Sequence, residues 1–557
     1  MRHLAILCQQ AGITQVVHSP GSRVAPLLIA FERQNEIKVT SIIDERCAAF
    51  YALGIAQQTL QVVVLICTSG TAALNYAPAI AEAYYQRVPL LILTADRPNE
   101  WIDQNDMQSI KQLGLYENYI KKSFSLPNVV TDEHDLWHSN RLVCEALNHC
   151  KYPDFGPVHI NVPLQEPLYQ LEEPVNNVLP KFIELPDSIN FLKQSSFDKM
   201  KEVWKDSRLK WIIVGMSAPN HSLEMELLKL VEHDSTVVVL CERLANFSSS
   251  TFFYDLEGLM TVLEEKGAEA LFPDLVVSLG GMVVSKKIKQ FLRKNRPTHH
   301  WSIDKANKFL DTYQSLTLEL PIEAVSFFQQ LTQNSSPISE PNPMYVLQEK
   351  LREAKTRFLD KIPFSDLKAV ELVLEQLPPN TLLQLGNSMS VRYACLLENL
   401  GNPVANYANR GVGGIDGASS TASGAATTHD SLTLLICGDL SFIYDSNALW
   451  NKVLSEKLRI VILNNSGGQI FNIIAGPSNL AEKEERFITH QSVELSSLVK
   501  AFNIDFYSCQ TAKELQNILP KFLLNNHKTK ILEIKTDGVL SSDVYKSYFS
   551  EIKGIIK

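Results

Sequence analysis

Short, continuous apolar runs recur along the chain and predict buried β-strands. Strands covered on both faces lose the apolar–polar alternation of half-exposed strands. Between the runs lie segments with helical spacing of apolar residues, such as AALNYAPAIAEAYYQ and DKMKEVWKD. This succession predicts an α/β protein with mainly parallel sheets. The strand candidates are QVVVLICTSG, PLLILTADRP, PVHINVP, KWIIVGMS, STVVVLC, DLVVSLGG, TLLQLGNS, LTLLICGDL, RIVILNN and KILEIKT.

Two stretches rich in turn-forming residues divide this pattern into three parts. Residues 163–180 are rich in Pro and Glu, and residues 332–343 are rich in Ser, Pro and Asn. The length of 557 residues suits about three domains. We therefore expect three doubly wound domains, at residues 1–175, 185–332 and 344–557.

Composition and charge narrow the class of function. The net charge is −9 and no Lys/Arg-rich run stands out, which argues against nucleic-acid binding. The nine cysteines lie mostly in apolar runs without a CxxC pair, so we expect reduced core residues in a cytoplasmic protein. No apolar window is long enough for a membrane span or a signal peptide. A small-molecule function is the remaining expectation.

Polar residues at the ends of two predicted strands point to a metal site. Asp439 follows LTLLICG and Asn465 follows RIVILN, with room between them for a helix and a return strand. The two loops should therefore be neighbours outside the carboxyl edge of the sheet, where ligands bind. The Asp439 carboxylate, the Asn465 amide oxygen and the Gly467 carbonyl would form half of an octahedral oxygen shell. Such a shell suits Mg²⁺ that also holds a diphosphate.

Gly467 and Gly468 would let the backbone approach a phosphate, with the next helix presenting its N–H groups to it. The ordinary alternative is that Gly438-Asp439 is a capped strand-to-helix turn and that Asn464-Asn465 is another turn. Either motif alone is more often such a turn. The two together, in this order and at this spacing, favour the magnesium site.

Glu45 lies in SIIDERCAAFYALGIA, after a predicted strand and before an apolar helix. Burial there would raise the pKa of its carboxyl group and suit it to proton transfer. An acid at a helix N-terminus is equally favoured by the helix dipole alone. The residues themselves leave this choice open.

Four arginines lie in or near loops that are expected to follow strands. A guanidinium there can bind a carboxylate in bidentate fashion. One such residue is usually a structural ion pair, but four beside a diphosphate site indicate substrates with several carboxylates. They are Arg23 in SPGSR, Arg97 in TADRP, Arg392 in NSMSVR and Arg410 in NRGVGG.

Together these motifs resemble the thiamine-diphosphate-dependent enzymes. SPGSR, DER, TADRP, NRGVGGIDG, GDLSF and NNSGGQIF resemble the branch that joins 2-oxoglutarate to isochorismate in menaquinone biosynthesis, where Leu440 replaces the Gly usual in the superfamily. The resemblance covers the first and third domains, and the central domain matches loosely. It implies the thiamine-diphosphate-binding fold and Mg²⁺ or Mn²⁺ beside the cofactor. It also implies a homodimer with active sites at the interface, which could pair into a tetramer.

The resemblance also implies roles for single residues. Glu45 would bond the cofactor's aminopyrimidine ring, and Ile415 would wedge between the two cofactor rings, although an ordinary core isoleucine is an alternative. The implied cofactor-binding residues are Ile415, Gly438, Asp439, Leu440, Ser441, Asn465, Gly467, Gly468, Gln469 and Ile470, with Asp439, Asn465 and Gly467 on the metal. The implied substrate-binding residues are Ser22, Arg23, Arg97, Gln108, Ser388, Arg392, Arg410, Phe471, Ile474, Lys286 and Lys287.

Two residue sets are open to other interpretations. Lys286 and Lys287 could equally belong to a solvated face of SKKIKQFLRK, and Met107 stands where the family has an amide.

The implied reaction is decarboxylation of 2-oxoglutarate and 1,4-addition of the succinyl-semialdehyde carbanion to isochorismate. One rival is another thiamine-diphosphate 2-oxoacid decarboxylase or acetolactate-synthase-like carboligase. The other is a non-catalytic nucleotide-binding protein that uses its GMSAPN or LGG loops.

Overall fold

The structure is a computed structural model of the chain. Three sheets, each flanked by helices, confirm the α/β class, and every strand pairing within them is parallel. The structure describes residues 1–169, 178–186, 192–265, 267–306, 308–398, 400–401, 403–474, 476–524 and 528–555.

The three sheets follow one another along the chain. The N-terminal sheet has the order β2-β1-β3-β4-β6-β5, with β1 Gln15–His18, β2 Lys38–Ser41, β3 Val63–Cys67, β4 Leu90–Asp96, β5 Ser123–Ser125 and β6 Val158–Pro163. The central sheet has the order β11-β10-β9-β7-β8, with β7 Lys210–Val214, β8 Val237–Cys241, β9 Leu275–Leu279, β10 His299–Ile303 and β11 Leu318–Leu320. The C-terminal sheet has the order β13-β12-β14-β15-β17-β16, with β12 Leu382–Leu385, β13 Ala405–Ala408, β14 Thr433–Gly438, β15 Leu458–Asn464, β16 Asp505–Cys509 and β17 Lys530–Lys535.

Helices cover the faces of each sheet. Those of the N-terminal part are α1 Arg2–Gln10, α2 Ala25–Glu32, α3 Glu45–Thr59, α4 Thr71–Asn75, α5 Ala77–Gln86 and α6 Glu133–His149. Those of the central part are α7 Gln194–Asp206, α8 His221–His233, α9 Leu256–Leu263, α10 Lys286–Lys294 and α11 Ala324–Asn334. Those of the C-terminal part are α12 Pro343–Leu359, α13 Asp366–Glu375, α14 Met389–Leu396, α15 Ala418–Ala425, α16 Asp439–Tyr444, α17 Leu495–Ala501, α18 Ala512–Leu523 and α19 Gly538–Glu551.

Each of the ten apolar runs contains a strand, as predicted. β3, β4, β6, β7 and β8 are buried along their whole length, which is why their sequences show no alternation. The nine cysteines are all unpaired and buried, as expected for core residues. The predicted domain limits stay a prediction, since the first boundary falls partly on residues 170–177 and 187–191, outside the described residues.

Helices α3 and α15 join the N-terminal and C-terminal parts of the chain. A Cβ atom on Gly54 would lie 2.0 Å from the carbonyl oxygen of Thr421, and one on Gly424 would lie 2.0 Å from that of Tyr51. Only glycine allows so close an approach of two helix backbones. The contact fixes α3, which begins at Glu45, against the C-terminal part of the same chain.

The described residues include no α-helix that is both long and apolar enough to cross a bilayer.

Candidate active site

The ends of β14 and β15 lie side by side, as the sequence predicted. Gly438 is paired with Leu463, so the loops that follow the two strands leave the sheet together. The helix α16 starts at Asp439, directly after the strand, and half-buried Leu440 follows it. This topology brings Asp439, Asn465 and Gly467 to one edge of the sheet.

Asp439 is a buried acid whose hydrogen-bond partners, among the residues that the structure describes, are N–H donors. It is 1% exposed. Its carboxylate accepts the N–H of Leu440 at 2.8 Å and the amide of Gln491 at 3.1 Å, and the N–H of Gly467 also faces it. Burial raises the pKa of Asp439 to about 6, although these donors act in the opposite direction. A cation at this carboxylate would offset the cost of burying its charge.

Asn465 presents an oxygen that lacks a partner. Its Nδ2 donates to Asp366 at 2.7 Å, while its Oδ1 is buried without a hydrogen bond among the described residues. A buried orphaned acceptor costs about 1–3 kcal/mol, and a bound ion or water is one way in which that cost is offset. The Gly467 carbonyl accepts the N–H of Gln469 at 2.9 Å and keeps one lone pair free. The three oxygens fit the ligand preference of Mg²⁺.

The Gly467-Gly468 pair makes contacts that the sequence did not predict. Gly467 has φ +134°, and a Cβ there would lie 2.7 Å from the carbonyl oxygen of Ile488. The Gly468 N–H donates to the same oxygen at 2.7 Å, so it is not available to a phosphate. The helix expected after the glycines is a single 3₁₀ turn, Gln469–Asn472. In this chain the glycines therefore permit close packing against the backbone near Ile488.

The residues of that turn support the loop and line it. Gln469 is buried, and its amide donates to the Asn465 carbonyl at 3.1 Å. Ile470 and Ile474 are half-buried, and Phe471 packs on Phe487 with ring centroids 5.5 Å apart.

Ile415 is tied to the helix that carries Asp439. The Ser441 hydroxyl donates to the Ile415 carbonyl at 2.9 Å. The isoleucine is 37% exposed, so it is not an ordinary core residue. This exposure leaves its side chain available to a ligand.

The loop between Arg410 and Ile415 is held from the N-terminal part of the chain by Glu82. This carboxylate lies on α5, is 1% exposed and accepts the backbone N–H groups of Gly411 and Val412. Burial raises the pKa of Glu82. Sequence reasoning missed Glu82, because a Glu within the helical pattern of AALNYAPAIAEAYYQ gives no local signal of a partner more than 300 residues away.

Two of the four arginines form a pair in the C-terminal part. Arg410 Nη1 donates to Asn387 at 2.9 Å, while its buried Nε lacks a partner among the described residues. Arg392 donates to the carbonyl of Ser388, whose φ is +73°. Burial and then the nearby charge of Arg392 lower the pKa of Arg410. Neither guanidinium makes an ion pair within the described parts of the chain.

The other two arginines form a second pair in the N-terminal part. Arg23 is buried and bonds the Leu164 carbonyl at 2.7 Å and Glu166 at 3.2 Å. Arg97 pairs with Asp106 at 2.7 Å and also bonds the Met107 carbonyl. Burial and then the charge of Arg97 lower the pKa of Arg23. Arg97 is thus close enough to Arg23 for its charge to act on Arg23.

Glu45 and its predicted neighbours are open to solvent in the single chain. Glu45 is half-buried and bonds none of the described residues, whereas Ser22 and Gln108 are exposed. The next residue, Arg46, donates to the Tyr444 carbonyl at 2.9 Å, so α3 rests on the far end of α16. The sequence analysis considered a buried Glu45, but within one chain this residue is only half-buried.

Lys286 and Lys287, the two lysines implied for the substrate site, lie in different environments. Lys287 donates to Thr261 at 2.5 Å and lies 3.7 Å from the ring centre of Phe549, which indicates a packing role. Lys286 is exposed. Lys289 was not among the predicted site residues. Burial lowers its pKa, and the nearby positive charge of Arg410 lowers it further. Its position three residues after Lys286, on the same helix face, was a usable signal.

Comparison with known families agrees with this geometry. Residues 1–115 match the family described as thiamine pyrophosphate enzyme, N-terminal TPP binding domain. Residues 259–385 match the middle domain of thiamine pyrophosphate enzymes, and residues 390–534 match their C-terminal TPP binding domain. The fold and the site define a thiamine-diphosphate enzyme.

Relatives narrow the family further. The chain is 39% identical over 573 residues to the 2-succinyl-5-enolpyruvyl-6-hydroxy-3-cyclohexene-1-carboxylate synthase of Christiangramia forsetii, covering 99% of this chain and 98% of the relative. It is 39% identical over 554 residues to the synthase of the same name from Cytophaga hutchinsonii, covering 98% and 97%. For the Desulfotalea psychrophila synthase the identity is 37% over 537 residues, covering 96% and 97%. The chain belongs to this family of synthases.

Proposed function

We propose that the protein decarboxylates 2-oxoglutarate and adds the remaining four-carbon unit to the ring of isochorismate in a 1,4-addition. The observation that carries the proposal is the Arg392–Arg410 pair, two neighbouring guanidiniums without a carboxylate partner among the described residues. Both substrates carry two carboxylates, and the pair offers the charge that binds them. The product would be the succinylated cyclohexene carboxylate that gives the related synthases their name.

Asp439, Asn465 and the Gly467 carbonyl would hold Mg²⁺, or Mn²⁺ in its place, with the cofactor's diphosphate. Bound thiamine diphosphate supplies the electron sink for the carbanion left by decarboxylation. Ser441 on α16 holds the Ile415 carbonyl, and the exposed isoleucine side chain would wedge between the cofactor rings. The orphaned Asn465 oxygen supports the metal assignment.

Glu45 would share a proton with a ring nitrogen of the cofactor's aminopyrimidine. Its position at the start of α3, directly after the short loop that follows β2, places it at the carboxyl edge of the N-terminal sheet. Because the side chain is half-buried and has no hydrogen-bond partner in the described part of the chain, it is free to bond a group supplied from outside.

The arginines would orient the substrates. Arg392 and Arg410 present guanidiniums next to the loop that carries Ile415, and Lys289 adds a third charge. Arg23 and Arg97 lie at the carboxyl edge of the N-terminal sheet, with Ser22 and Gln108 nearby in sequence. Holding both substrates against one reactive centre converts a bimolecular addition into an effectively unimolecular step.

We infer that two chains complete each site as a homodimer. Within the described residues no hydrogen bond or ion pair joins the N-terminal residues Glu45, Arg23 and Arg97 to the metal donors. Large apolar side chains of the N-terminal part are exposed in the single chain, as a surface covered by a second copy would be. They are Ile43, Leu74, Met107 and Leu113, at 61%, 48%, 78% and 59% exposure. The nine unpaired cysteines support a reducing compartment such as the cytoplasm.

The test is one incubation of purified protein with thiamine diphosphate, Mg²⁺ and 2-oxoglutarate, with and without isochorismate, followed by mass. We expect an adduct of isochorismate plus a succinyl-semialdehyde unit, absent without cofactor. Release of CO₂ without an adduct would favour another thiamine-diphosphate decarboxylase or carboligase. The alternative of a non-catalytic nucleotide-binding protein has lost its support, since the chain belongs to an enzyme family.

A further inference from the structure

Asp366 is a fully buried acid behind the metal donors. It is the first residue of α13 and is 0% exposed. Its Oδ2 accepts from Asn465 Nδ2 at 2.7 Å and from the Tyr393 hydroxyl at 3.4 Å, and its Oδ1 accepts from the Thr536 hydroxyl. Among the described residues no cation pairs with it. An acid kept here against the cost of burial must supply something that an apolar residue does not.

A carboxyl group at this position determines which end of the Asn465 side-chain amide faces it. The Oδ2 atom of Asp366 accepts a hydrogen bond from Asn465 Nδ2, so Asn465 faces this carboxyl group with its NH₂ group. The amide oxygen is then turned to the opposite side. That oxygen, Oδ1, is the buried acceptor left without a partner.

The backbone of Asn465 is also held in place, so only its side-chain amide can change orientation. Its carbonyl accepts the Gln469 amide at 3.1 Å, and the preceding residue, Asn464, bonds Glu533 at 2.7 Å. With the backbone held, rotation of the amide is the remaining way for Oδ1 to leave its position. Asp366 opposes that rotation.

We propose that Asp366 is a positioning residue for the metal: by holding Asn465 Nδ2 it presents Oδ1 to the cation that Asp439 also binds. Asp366 does not touch the metal. The inference rests on the proposed function, because it requires the Asp439–Asn465 site to bind Mg²⁺. Partners that orient metal ligands in this way typically change metal affinity by 10- to 100-fold when they are removed.

The experiment measures the Mg²⁺ concentration that gives half of the rise in melting temperature caused by thiamine diphosphate. It compares the wild type with Asp366→Leu, which has a similar branched shape but is larger and has no acceptor, and with Asp366→Asn, which keeps one acceptor. Thr536→Val is the matched control, since it removes a hydrogen bond to the same carboxylate without touching Asn465. A purely structural role would lower the melting temperature of the variants without moving the half-saturating Mg²⁺ concentration.

We expect that concentration to rise about 10- to 100-fold in Asp366→Leu, by a smaller factor in Asp366→Asn, and less than about threefold in Thr536→Val. A folded Asp366→Leu with the wild-type value overturns the inference. If Asp366→Leu does not fold, equal values for Asp366→Asn and Thr536→Val overturn it. If the wild type shows no Mg²⁺-dependent stabilisation by the cofactor, the proposed function fails first.

Discussion

The two halves of the candidate site differ in how far a single chain completes them. The metal donors of the C-terminal half are buried and held in place, with Asp439 bonded to Leu440 and Gln491 and with Asn465 bonded to Asp366. In the N-terminal half, Glu45 is half-buried and lacks a partner among the described residues. The comparison teaches that a single chain holds the proposed metal donors in place by itself, whereas the proposed proton-transfer residue is left open, as the proposed homodimer requires.

The largest effect is expected from Glu45→Gln. If Glu45 moves a proton at the cofactor ring, kcat should fall about 10²- to 10⁴-fold. The stabilisation by thiamine diphosphate and Mg²⁺ should persist, because the metal donors lie in the other half. Product formation by mass and melting curves measure the two outcomes. Exposed Glu269→Gln is the control, and normal product formation by Glu45→Gln would remove the proposed role.

A substrate-specific effect is expected from Arg392→Lys and Arg410→Lys. Lysine keeps the charge but loses the bidentate geometry, so kcat/KM for isochorismate should fall about 10- to 100-fold. Stabilisation by the cofactor should stay unchanged. Arg357→Lys, at an exposed ion pair, serves as the control. An unchanged kcat/KM in both variants would remove the pair from the substrate site.

A smaller effect is expected from Glu82→Gln, which tests whether the N-terminal part holds a loop of the C-terminal half. A glutamine keeps one acceptor oxygen and turns an NH₂ group toward the other backbone N–H, so the loop of Gly411 and Val412 should loosen. We expect kcat/KM to fall about tenfold. Exposed Glu349→Gln should keep the wild-type value. Equal values for both variants would show that the loop keeps its position without the Glu82 carboxylate.

The smallest effect concerns stability and pH at Asp445, where the C-terminal half holds α3. Asp445 accepts from the Ser420 N–H at 2.7 Å and lies 3.6 Å from Arg46. Burial raises the pKa of Asp445 to about 7, above its unfolded value of about 3.9. Because the folded chain binds this proton more tightly, the stabilisation is full below pH 4 and is lost as pH rises through 7.

Asp445→Asn removes this titration. The unfolding free energy of the variant relative to the wild type should therefore rise by about 2–3 kcal/mol between pH 5 and pH 8. Denaturant melts at several pH values measure the difference. A difference that stays constant with pH would contradict the raised pKa of Asp445.

The sequence predicted the fold where burial leaves a strong pattern. Continuous apolar runs marked ten strands, but short strands with polar residues, such as β1 (QVVH), β2 (KVTS) and β13 (ANYA), gave no comparable signal. The 3₁₀ turn Gln469–Asn472 was expected as a helix, because local propensity does not reveal that Gly468 is bonded to Ile488.

Candidate site residues were predictable where a polar residue with a ligand oxygen follows the end of a predicted strand. Asp439 and Asn465 satisfied both conditions. Glu82 and Asp366 could not be found in this way, because each is an acid within a helix whose partners are distant in sequence. Lys287 was implied by the family resemblance alone, and the sequence did not show that this lysine packs on Phe549.

The most direct test of a site shared by two chains combines two inactive variants in one dimer. Glu45→Gln and Asp439→Asn chains carrying different affinity tags are coexpressed, and the mixed dimer is purified through both tags. One of its two sites then contains an intact Glu45 and an intact Asp439, so we expect about half of the wild-type activity. If each site lies within one chain, the mixed dimer will be as inactive as its parents.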